Sequence, residues 1–318
     1  MKTIYLCENE KELRSVYGTE NRICRKADVL QDPQSFRNTE YVFSTWGMPK
    51  FTEEEIREYL PSLKAVFYGA GTVQAFARPF LNCGVKVFSA WAANAVPVAE
   101  YTVAQIVLAN KGFFRTMGYS DRAAARKTHG AFPGNFDVKI GIIGAGMIGK
   151  LVIQKLKDYQ LSVLVFDPFL PEETAKALGV RKTDLMTLFS QCQVVSNHLA
   201  NNEQTKGMLK GEHFEAMLPN ATFLNTGRGA QVVELELIEV LRHRPDLTAI
   251  LDVTYPEPPV EGSPLYGLPN CILTPHIAGS SGREVRRMGQ FMQAEYEKFT
   301  SGQPCSYEVT PQMLETMA

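Results

Sequence analysis

Three side chains in the second half of the chain have the chemistry of an anion-binding, proton-transferring site. They are Arg228, Glu257 and His276. Each comes shortly after a short apolar run that predicts a strand, and these runs are 221–226, 248–252 and 271–274. The planar guanidinium of arginine suits a carboxylate. A histidine paired with a carboxylate can act as a general acid near neutral pH.

Each of these residues also has a purely structural interpretation. Arg228 is either a surface residue that caps a helix or an anion clamp, and the flanking Gly227 and Gly229 favour the clamp. Glu257 taken alone is equally consistent with a surface acid, although three nearby prolines stiffen its loop. A lone histidine is more often structural, but His276 is predicted to share a sheet edge with a nucleotide site.

That nucleotide site is predicted from Asp137 to Asp167, where a strand, a glycine turn, a helix and a second strand follow one another. The strands are 138–143 and 161–166, and the turn is Gly144-Ala145-Gly146-Met147-Ile148-Gly149. Gly144 permits a tight turn, and Gly146 lets the main chain approach a pyrophosphate. Gly149 lets the helix pack close to the strand, and the helix N-terminus favours an anion.

The acid at the end of the second strand predicts which dinucleotide is preferred. Asp167 can accept hydrogen bonds from both ribose hydroxyls and would repel a 2′-phosphate. Phe169 and Leu170, rather than basic residues, follow Pro168. The sequence therefore predicts NAD rather than NADP.

Two other nucleotide-site classes share part of this pattern. Residues 144–150 also spell G-x-x-x-x-G-K, but Leu151 follows and has no hydroxyl for Mg²⁺, which disfavours a nucleoside-triphosphate loop. A methyltransferase that binds a nucleoside-sulfonium cofactor could share the glycine turn and the acid. Only the second half of the chain can exclude that class.

The remaining pattern predicts two α/β regions. Runs 41–44, 65–68 and 85–88 predict a parallel sheet in the first hundred residues. The loop Gly69–Thr72 follows one of these strands and is either a plain turn or a ligand loop. A long apolar helix is predicted for 98–113, entered through 94–97, and a last helix for 282–299, after which the tail returns to the first region.

Composition excludes several function classes. The 318 residues are 45% hydrophobic and 21% charged with net charge −1, which is typical of a globular protein and supplies no basic field for nucleic acid. No apolar run approaches the ~20 residues of a membrane span, and residues 1–6 predict a strand rather than a signal peptide. The six cysteines form no C-x-x-C pair, which favours reduced thiols, a cytoplasmic location and no metal.

The chain resembles the D-isomer specific 2-hydroxyacid dehydrogenase family, which includes phosphoglycerate dehydrogenases and glyoxylate/hydroxypyruvate reductases. The resemblance depends on motifs at 144–149, 166–168, 225–229, 252–259 and 274–279. It implies a Rossmann-type NAD-binding domain and a smaller flavodoxin-like α/β substrate-binding domain with a cleft between them. The boundaries we predict are 1–101 plus 286–318 for the substrate-binding domain and 102–285 for the NAD-binding domain.

The resemblance also implies roles for individual residues. Arg228, Glu257 and His276 form the catalytic set. The residues expected to bind NAD are Gly144, Gly146, Met147, Ile148, Gly149, Asp167, Pro168, His198, Ala200, Thr205, Thr226, Gly227 and Asp252, of which Asp252 holds the nicotinamide carboxamide. The substrate carboxylate is expected on the Ala70-Gly71 main chain near Asn94, with Arg228 and His276 at the reacting carbonyl.

The activity that follows is NAD-dependent interconversion of a small D-2-hydroxyacid and its 2-ketoacid, with the particular acid left open. The alternative is a non-catalytic NAD(H)-sensing protein on the same fold. A homodimer is expected through the helix from Val98 and the arm around Phe132. Gly227 stands where the family usually has Ala or Ser, and Ala200 stands where it usually has Pro and could loosen its loop.

Overall fold

The protein, described by a computed structural model for residues 2–316, contains two compact units. One unit combines the chain up to Asn94 with the chain from Ser280 onward, and the other is Ala95–Gly279. The boundaries predicted from sequence lie a few residues further along the chain, at 101 and 285. Each unit contains its own sheet, so the expectation of two α/β domains is confirmed.

The first unit is built on a six-stranded sheet. Its strands are β1 Thr3–Leu6, β2 Ile23–Cys24, β3 Tyr41–Ser44, β4 Ala65–Tyr68, β5 Lys86–Ser89 and β13 Glu308–Val309, in the order β13-β5-β4-β3-β1-β2. All pairs are parallel except β13 with β5, which is antiparallel. The five parallel strands have the flavodoxin-like order 2-1-3-4-5. The tail returns to this sheet as the sequence predicts.

Helices cover both faces of the first sheet. They are α1 Glu10–Tyr17, α2 Lys26–Gln31, α3 Pro33–Phe36, α4 Glu53–Tyr59, α5 Ala77–Asn82, α14 Val285–Thr300 and α15 Met313–Thr316. Val42 and Val66 belong to one buried cluster, and Phe43 and Phe67 belong to the other. Alternate residues of each strand therefore enter opposite cores, which explains the unbroken apolar runs.

The second unit contains a seven-stranded parallel sheet. Its strands are β6 Phe136–Ile143, β7 Gln160–Phe166, β8 Arg181–Lys182, β9 Val194–Asn197, β10 Thr222–Asn225, β11 Thr248–Leu251 and β12 Cys271–Leu273. The order β12-β11-β10-β9-β6-β7-β8 is the Rossmann order with one further strand. Its helices are α7 Phe113–Thr116, α8 Arg122–His129, α9 Met147–Leu156, α10 Glu172–Leu178, α11 Leu185–Gln191, α12 Gly211–Glu215 and α13 Glu234–His243.

Strand register brings the predicted site residues to one edge of this sheet. The last residues of six strands pair in a continuous row, in the order Phe166, Ile143, Asn197, Asn225, Leu251 and Leu273. The next residue of each strand is therefore at the same level, and these are Asp167, Gly144, His198, Thr226, Asp252 and Thr274. Ligands bind open α/β sheets at this carboxyl edge.

The long helix differs from its prediction in two respects. Helix α6 spans Trp91–Asn110, so Asn94 and Pro97 lie within it rather than before it. Its first turns are buried through Ala92, Ala93 and Ala95, and this packing outweighs the unfavourable helix propensity of proline. With 20 residues, α6 is also long and apolar enough, by length and composition alone, to cross a membrane, so the expectation that no apolar run approaches that length is wrong. Half of α6 is buried within the fold, as is usual for the core helix of a globular protein.

Candidate active site

The glycine turn has the geometry that its three glycines predict. Gly144 has φ +87°, and a Cβ there would lie 2.8 Å from the carbonyl oxygen of His198. A Cβ at Gly149 would lie 2.0 Å from the carbonyl oxygen of Gly144, so α9 packs directly against the turn. Gly146 caps α9, and a Cβ there would meet no atom within 4 Å. The helix N-terminus is therefore open to a ligand anion.

Asp167 is oriented by the main chain around it. Its Oδ2 accepts a hydrogen bond from the N–H of Ala145 at 2.7 Å, and its Oδ1 accepts one from the N–H of Phe169 at 2.8 Å. Each carboxylate oxygen keeps a lone pair for a further donor. Pro168 and Met147, also predicted to bind the cofactor, are exposed, and Ile148 is half-buried.

His276 and Glu257 form a close pair. The distance from His276 Nδ1 to Glu257 Oε1 is 2.6 Å, and both side chains are half-exposed. Because Nδ1 is taken by the carboxylate, Nε2 is the ring nitrogen available to another partner. A cavity of about 400 Å³ includes both residues in its lining, together with Asp252 and Thr254. The pair is thus accessible to a small molecule.

Asp252 holds the loop on which His276 lies. Its carboxylate is buried and accepts hydrogen bonds from Thr274 Oγ1 at 2.6 Å, from the N–H of Ile277 at 2.8 Å and from the N–H of Ala278 at 2.9 Å. The main-chain N–H of His276 also donates to the carbonyl oxygen of Asp252. His276 has φ +54°, which is unfavourable for a residue other than glycine and persists only where neighbouring contacts enforce it.

Arg228 is a largely buried cation that forms no ion pair with any carboxylate in the described part of the chain. Its Nη1 donates to the carbonyl oxygen of Gly227 at 2.8 Å. Burial lowers the pKa of the Arg228 guanidinium, and the Glu257 carboxylate opposes that shift. A desolvated guanidinium that forms no ion pair can bind an anion, so the anion-clamp role of Arg228 stays a prediction that this geometry permits.

His198 lies beneath this edge rather than at its surface. Its Nε2 is 2.9 Å from Ser196 Oγ, and its Nδ1 is 3.3 Å from Thr226 Oγ1. Burial lowers the pKa of His198 to about 3, so the imidazole is neutral near physiological pH. Both ring nitrogens already have partners, and the cofactor roles assigned to His198 and Thr226 stay predictions.

The loop after β9 is hydrogen-bonded to side chains from two places in the chain. The carbonyl oxygen of Ala200 accepts hydrogen bonds from Thr205 Oγ1 at 2.6 Å and from Gln231 Nε2 at 3.0 Å. Side chains therefore restrain the main chain at this position, and the expectation that Ala200 loosens the loop stays a prediction. The roles of Ala200 and Thr205 in cofactor binding stay predictions.

Three buried amide side chains at this edge were not predicted as site residues from the sequence. Asn197, Asn225 and Gln231 are at most 1% exposed and are hydrogen-bonded to one another at the ends of β9 and β10. For Asn197 and Asn225 the signal that could have found them is an amide near the end of an apolar strand, because a buried amide requires partners, whereas Gln231 lies on no strand and has no such signal.

The first unit contains the loop predicted to receive a carboxylate. The carbonyl oxygens of Ala70 and Gly71 accept hydrogen bonds from Ser89 Oγ at 2.9 and 2.5 Å. Asn94 Oδ1 accepts a hydrogen bond from the N–H of Ser280, so its Nδ2 is the free donor end. A Cβ at Gly71 would lie 3.8 Å from that Nδ2. The three predicted residues are thus neighbours within this unit.

Comparison with known proteins identifies relatives of the chain. A family model described as "D-isomer specific 2-hydroxyacid dehydrogenase, NAD binding domain" matches residues 112–278. A D-3-phosphoglycerate dehydrogenase of Archaeoglobus fulgidus is 29% identical over 226 residues, which cover 70% of this chain and only 42% of the archaeal protein. An (S)-sulfolactate dehydrogenase of Chromohalobacter salexigens is 30% identical over 245 residues, which cover 74% of this chain and 77% of that protein.

Solved structures give the same fold. A D-2-hydroxyisocaproate dehydrogenase superposes with a TM-score of 0.77 over 98% of this chain and 100% of that chain, at 20% identity. The apo D-mandelate dehydrogenase of Rhodotorula graminis superposes with a TM-score of 0.76 over 97% of both chains, also at 20% identity. At this level of identity the likeness concerns the fold alone.

Proposed function

This chain belongs to the D-isomer specific 2-hydroxyacid dehydrogenase family, and we propose that it interconverts a small D-2-hydroxyacid and its 2-ketoacid with NAD(H) as cofactor. Its family match includes the NAD-binding domain. The chain spans less than half the length of the archaeal phosphoglycerate dehydrogenase that it matches.

The observation that most directly supports this activity is the pairing of His276 with Glu257, whose carboxylate also acts on the pKa of Arg228, a cation that forms no ion pair among the described residues. The strands preceding their loops, β10, β11 and β12, end in one register row. A 2-ketoacid offers a carbonyl oxygen that becomes an alkoxide on reduction, and these residues supply a proton donor and a cation for that atom.

In the proposed reduction, His276 Nε2 donates a proton to the substrate carbonyl oxygen as negative charge develops on it. NADH, when bound, supplies the hydride that C2 receives. Arg228 stabilises the developing alkoxide, and its burial strengthens that interaction relative to water. Glu257 holds Nδ1 of the imidazole, so the donating nitrogen stays turned away from the carboxylate. Oxidation of the hydroxyacid reverses each transfer.

The glycine turn fits the pyrophosphate of a dinucleotide. The open space at Gly146 lets phosphate oxygens reach the N–H groups of α9, whereas Gly144 and Gly149 admit no side chain. We propose that Asp167 binds the adenosine ribose hydroxyls with the lone pairs that Ala145 and Phe169 leave free. A 2′-phosphate would meet this carboxylate, which favours NADH over NADPH.

We propose that the N–H groups of Ala70 and Gly71, with Nδ2 of Asn94, bind the substrate carboxylate. The Ser89 hydroxyl lies against the two carbonyl oxygens, and the N–H groups of Ala70 and Gly71 donate to no main-chain acceptor among the described residues. Ser280 orients the Asn94 amide in the sense that an anion requires. Asn94→Asp should therefore raise KM for 2-ketoacids strongly, because it replaces a donor by a negative charge.

The decisive experiment is a panel of 2-ketoacids of differing side chain, assayed by the loss of NADH absorbance. At least one should be reduced, and Arg228→Lys should raise KM and lower kcat because lysine lacks the bidentate fork. NADH binding without turnover of any ketoacid would favour the non-catalytic NAD(H)-sensing alternative, which the site geometry and the named relatives do not favour.

We also propose a homodimer in the cytoplasm. Five large apolar side chains between residues 108 and 136 are 36–70% exposed, and they are Leu108, Phe113, Met117, Tyr119 and Phe136. Half of the apolar helix α6 is likewise not buried within the chain. A second copy would cover this surface. All six cysteines are free, which supports a reducing compartment.

Light scattering at micromolar concentration tests the dimer. The wild type should have twice the chain mass, and Phe113→Lys with Tyr119→Lys should give monomers, because both side chains lie on the exposed apolar segment. A matched pair of substitutions, Leu235→Lys with Tyr255→Lys, also alters exposed apolar side chains but lies outside that segment. A monomeric wild type would overturn this proposal.

A further inference from the structure

The three buried amides form a cluster at the centre of the sheet edge, which we call the amide cluster (Asn197, Asn225 and Gln231). Asn197 Nδ2 donates to Asn225 Oδ1 at 3.0 Å and to Gln231 Oε1 at 2.6 Å. All three side chains are essentially excluded from solvent. Buried amides in an apolar sheet cost free energy unless every polar atom has a partner.

The cluster holds the main chain on both sides of Arg228. The N–H of Arg228 donates to Gln231 Oε1 at 3.1 Å, and the carbonyl oxygen of Arg228 accepts from Asn225 Nδ2 at 3.3 Å. The N–H of Gly227 donates to Asn225 Oδ1 at 3.1 Å. The position from which the guanidinium extends is therefore set by two amide side chains.

The same Gln231 amide reaches a second loop. Its Nε2 donates to the carbonyl oxygens of Leu199 at 2.8 Å and Ala200 at 3.0 Å. One side chain thus connects the Arg228 loop with residues 199–205, and both N–H groups and the oxygen of its amide are used. This loop begins directly after His198, whose carbonyl oxygen contacts the glycine turn.

Gly227 leaves the space in which the cluster lies. A Cβ at this position would be 2.8 Å from Gln231 Oε1 and 2.9 Å from Asn197 Nδ2, closer than real Cβ contacts. Two of the departures from the family pattern therefore concern Gln231: Ala200 accepts its hydrogen bond, and Gly227 leaves room for it. The small residue at 227 and the amide at 231 depend on each other.

We propose that Gln231 is a positioning residue that couples the substrate-binding Arg228 to the cofactor-side loop 199–205. The inference rests on the proposed function for its kinetic consequences. Because one amide orients both loops, its loss should weaken 2-ketoacid and NADH binding together. A residue that merely stabilises the fold would lower the unfolding temperature without changing either binding constant.

The test is Gln231→Met, which keeps the length of the side chain and removes its hydrogen bonds. We expect KM for the best ketoacid of the panel and Kd for NADH, from fluorescence titration, each to rise by about tenfold, as loss of a buried hydrogen bond implies. The effect on kcat should be smaller. Amides of residues 199–205 should also exchange hydrogen faster, measured by mass spectrometry in the free protein.

The matched control is Gln160→Met, which alters an exposed glutamine at the start of β7, at the opposite end of that strand from Asp167, and should leave all three measurements unchanged. If Gln231→Met leaves KM, Kd and hydrogen exchange as in the wild type, the inference is wrong. If the wild type reduces no ketoacid, the proposed function fails, while NADH affinity and exchange still decide whether Gln231 positions its two loops.

A double-mutant cycle tests the dependence of Gly227 on Gln231. Gly227→Ala alone should weaken NADH binding by about tenfold or more, because its Cβ displaces the amide. In a Gln231→Ala background the same substitution should cost less, since Gln231 Oε1 is gone and the remaining neighbour, Asn197 Nδ2, can move into the space that the shorter side chain leaves. Equal effects of Gly227→Ala in the two backgrounds would contradict the inference.

Discussion

Asp252→Asn should destabilise the free protein as well as slow its reaction. The carboxylate accepts three hydrogen bonds, from Thr274, Ile277 and Ala278. An asparagine keeps one acceptor oxygen and turns an NH₂ group toward a donor. Hydrogen bonds to a charged group contribute about 1.5–3 kcal/mol each, so we expect a loss of about 3 kcal/mol in the free energy of unfolding.

For a unit of this size, about 1 kcal/mol lowers Tm by roughly 2–4 °C, so the expected change is about 6–12 °C. Thermal unfolding should be followed in the absence of nucleotide, since only the loop-holding role acts there. The kcat for ketoacid reduction should fall by about 10²-fold, because a displacement of His276 by an ångström misplaces the proton donor. Asp158→Asn, an exposed aspartate in the same unit, is the matched control.

The result separates two roles of Asp252. If the carboxylate only binds the nicotinamide carboxamide, Asp252→Asn should raise Kd for NADH and leave Tm of the free protein unchanged. That outcome would refute the view that Asp252 holds the His276 loop in place. A lowered Tm together with a lowered kcat is the result we expect.

Three further predictions concern the cofactor side of the site. Gly146→Ala should keep the wild-type Tm and lose NADH affinity by at least tenfold. Gly149→Ala should lower Tm by several degrees, because its Cβ meets the Gly144 carbonyl oxygen. Scanning calorimetry and NADH titration distinguish the two variants. Asp167→Ala should raise the ratio of NADPH to NADH in kcat/KM, and an unchanged ratio would contradict the ribose assignment. His198→Gln should make the stability less sensitive to acidification. Burial lowers the pKa of His198 from 6.5 to about 3, so between these two pH values the unfolded chain binds one more proton than the folded chain. Wild-type stability therefore falls as the pH falls through this range, by up to about 1.4 kcal/mol per pH unit from this group. Denaturant titrations of both proteins at several pH values measure that slope, and equal slopes would show that His198 is not buried neutral.

The features predicted well from sequence are those that local composition determines. Residues 41–44 and 65–68 form strands with the predicted bounds, because strands buried on both faces read as unbroken apolar runs. The helix after Thr52 begins with a capping box that the local sequence encodes, since Thr52 and Glu55 bond each other's main chain. The glycine turn is also encoded locally, because the positive φ of Gly144 and the close approaches at Gly144 and Gly149 require glycine.

The features that were missed depend on contacts between distant parts of the chain. Helix α6 begins at Trp91 despite Pro97, because burial of its first turns outweighs local propensity. Gln231 contacts Asn197 and Ala200, which are more than thirty residues earlier in the sequence. No local pattern distinguishes such an amide from a surface glutamine. The pairing of β9 with β10 brings Asn197 beside Asn225, and Gln231 bonds to Asn197 of that pair.

His276→Asn measures whether His276 is the proton donor. Asparagine tolerates the positive φ of this position better than alanine does, so the loop should keep its shape. Loss of a general acid typically lowers kcat by about 10²–10⁴-fold, while Kd for NADH should stay within about twofold of the wild type. A variant that binds NADH normally and keeps more than roughly a tenth of wild-type kcat, well above that range, would show that His276 is not the proton donor.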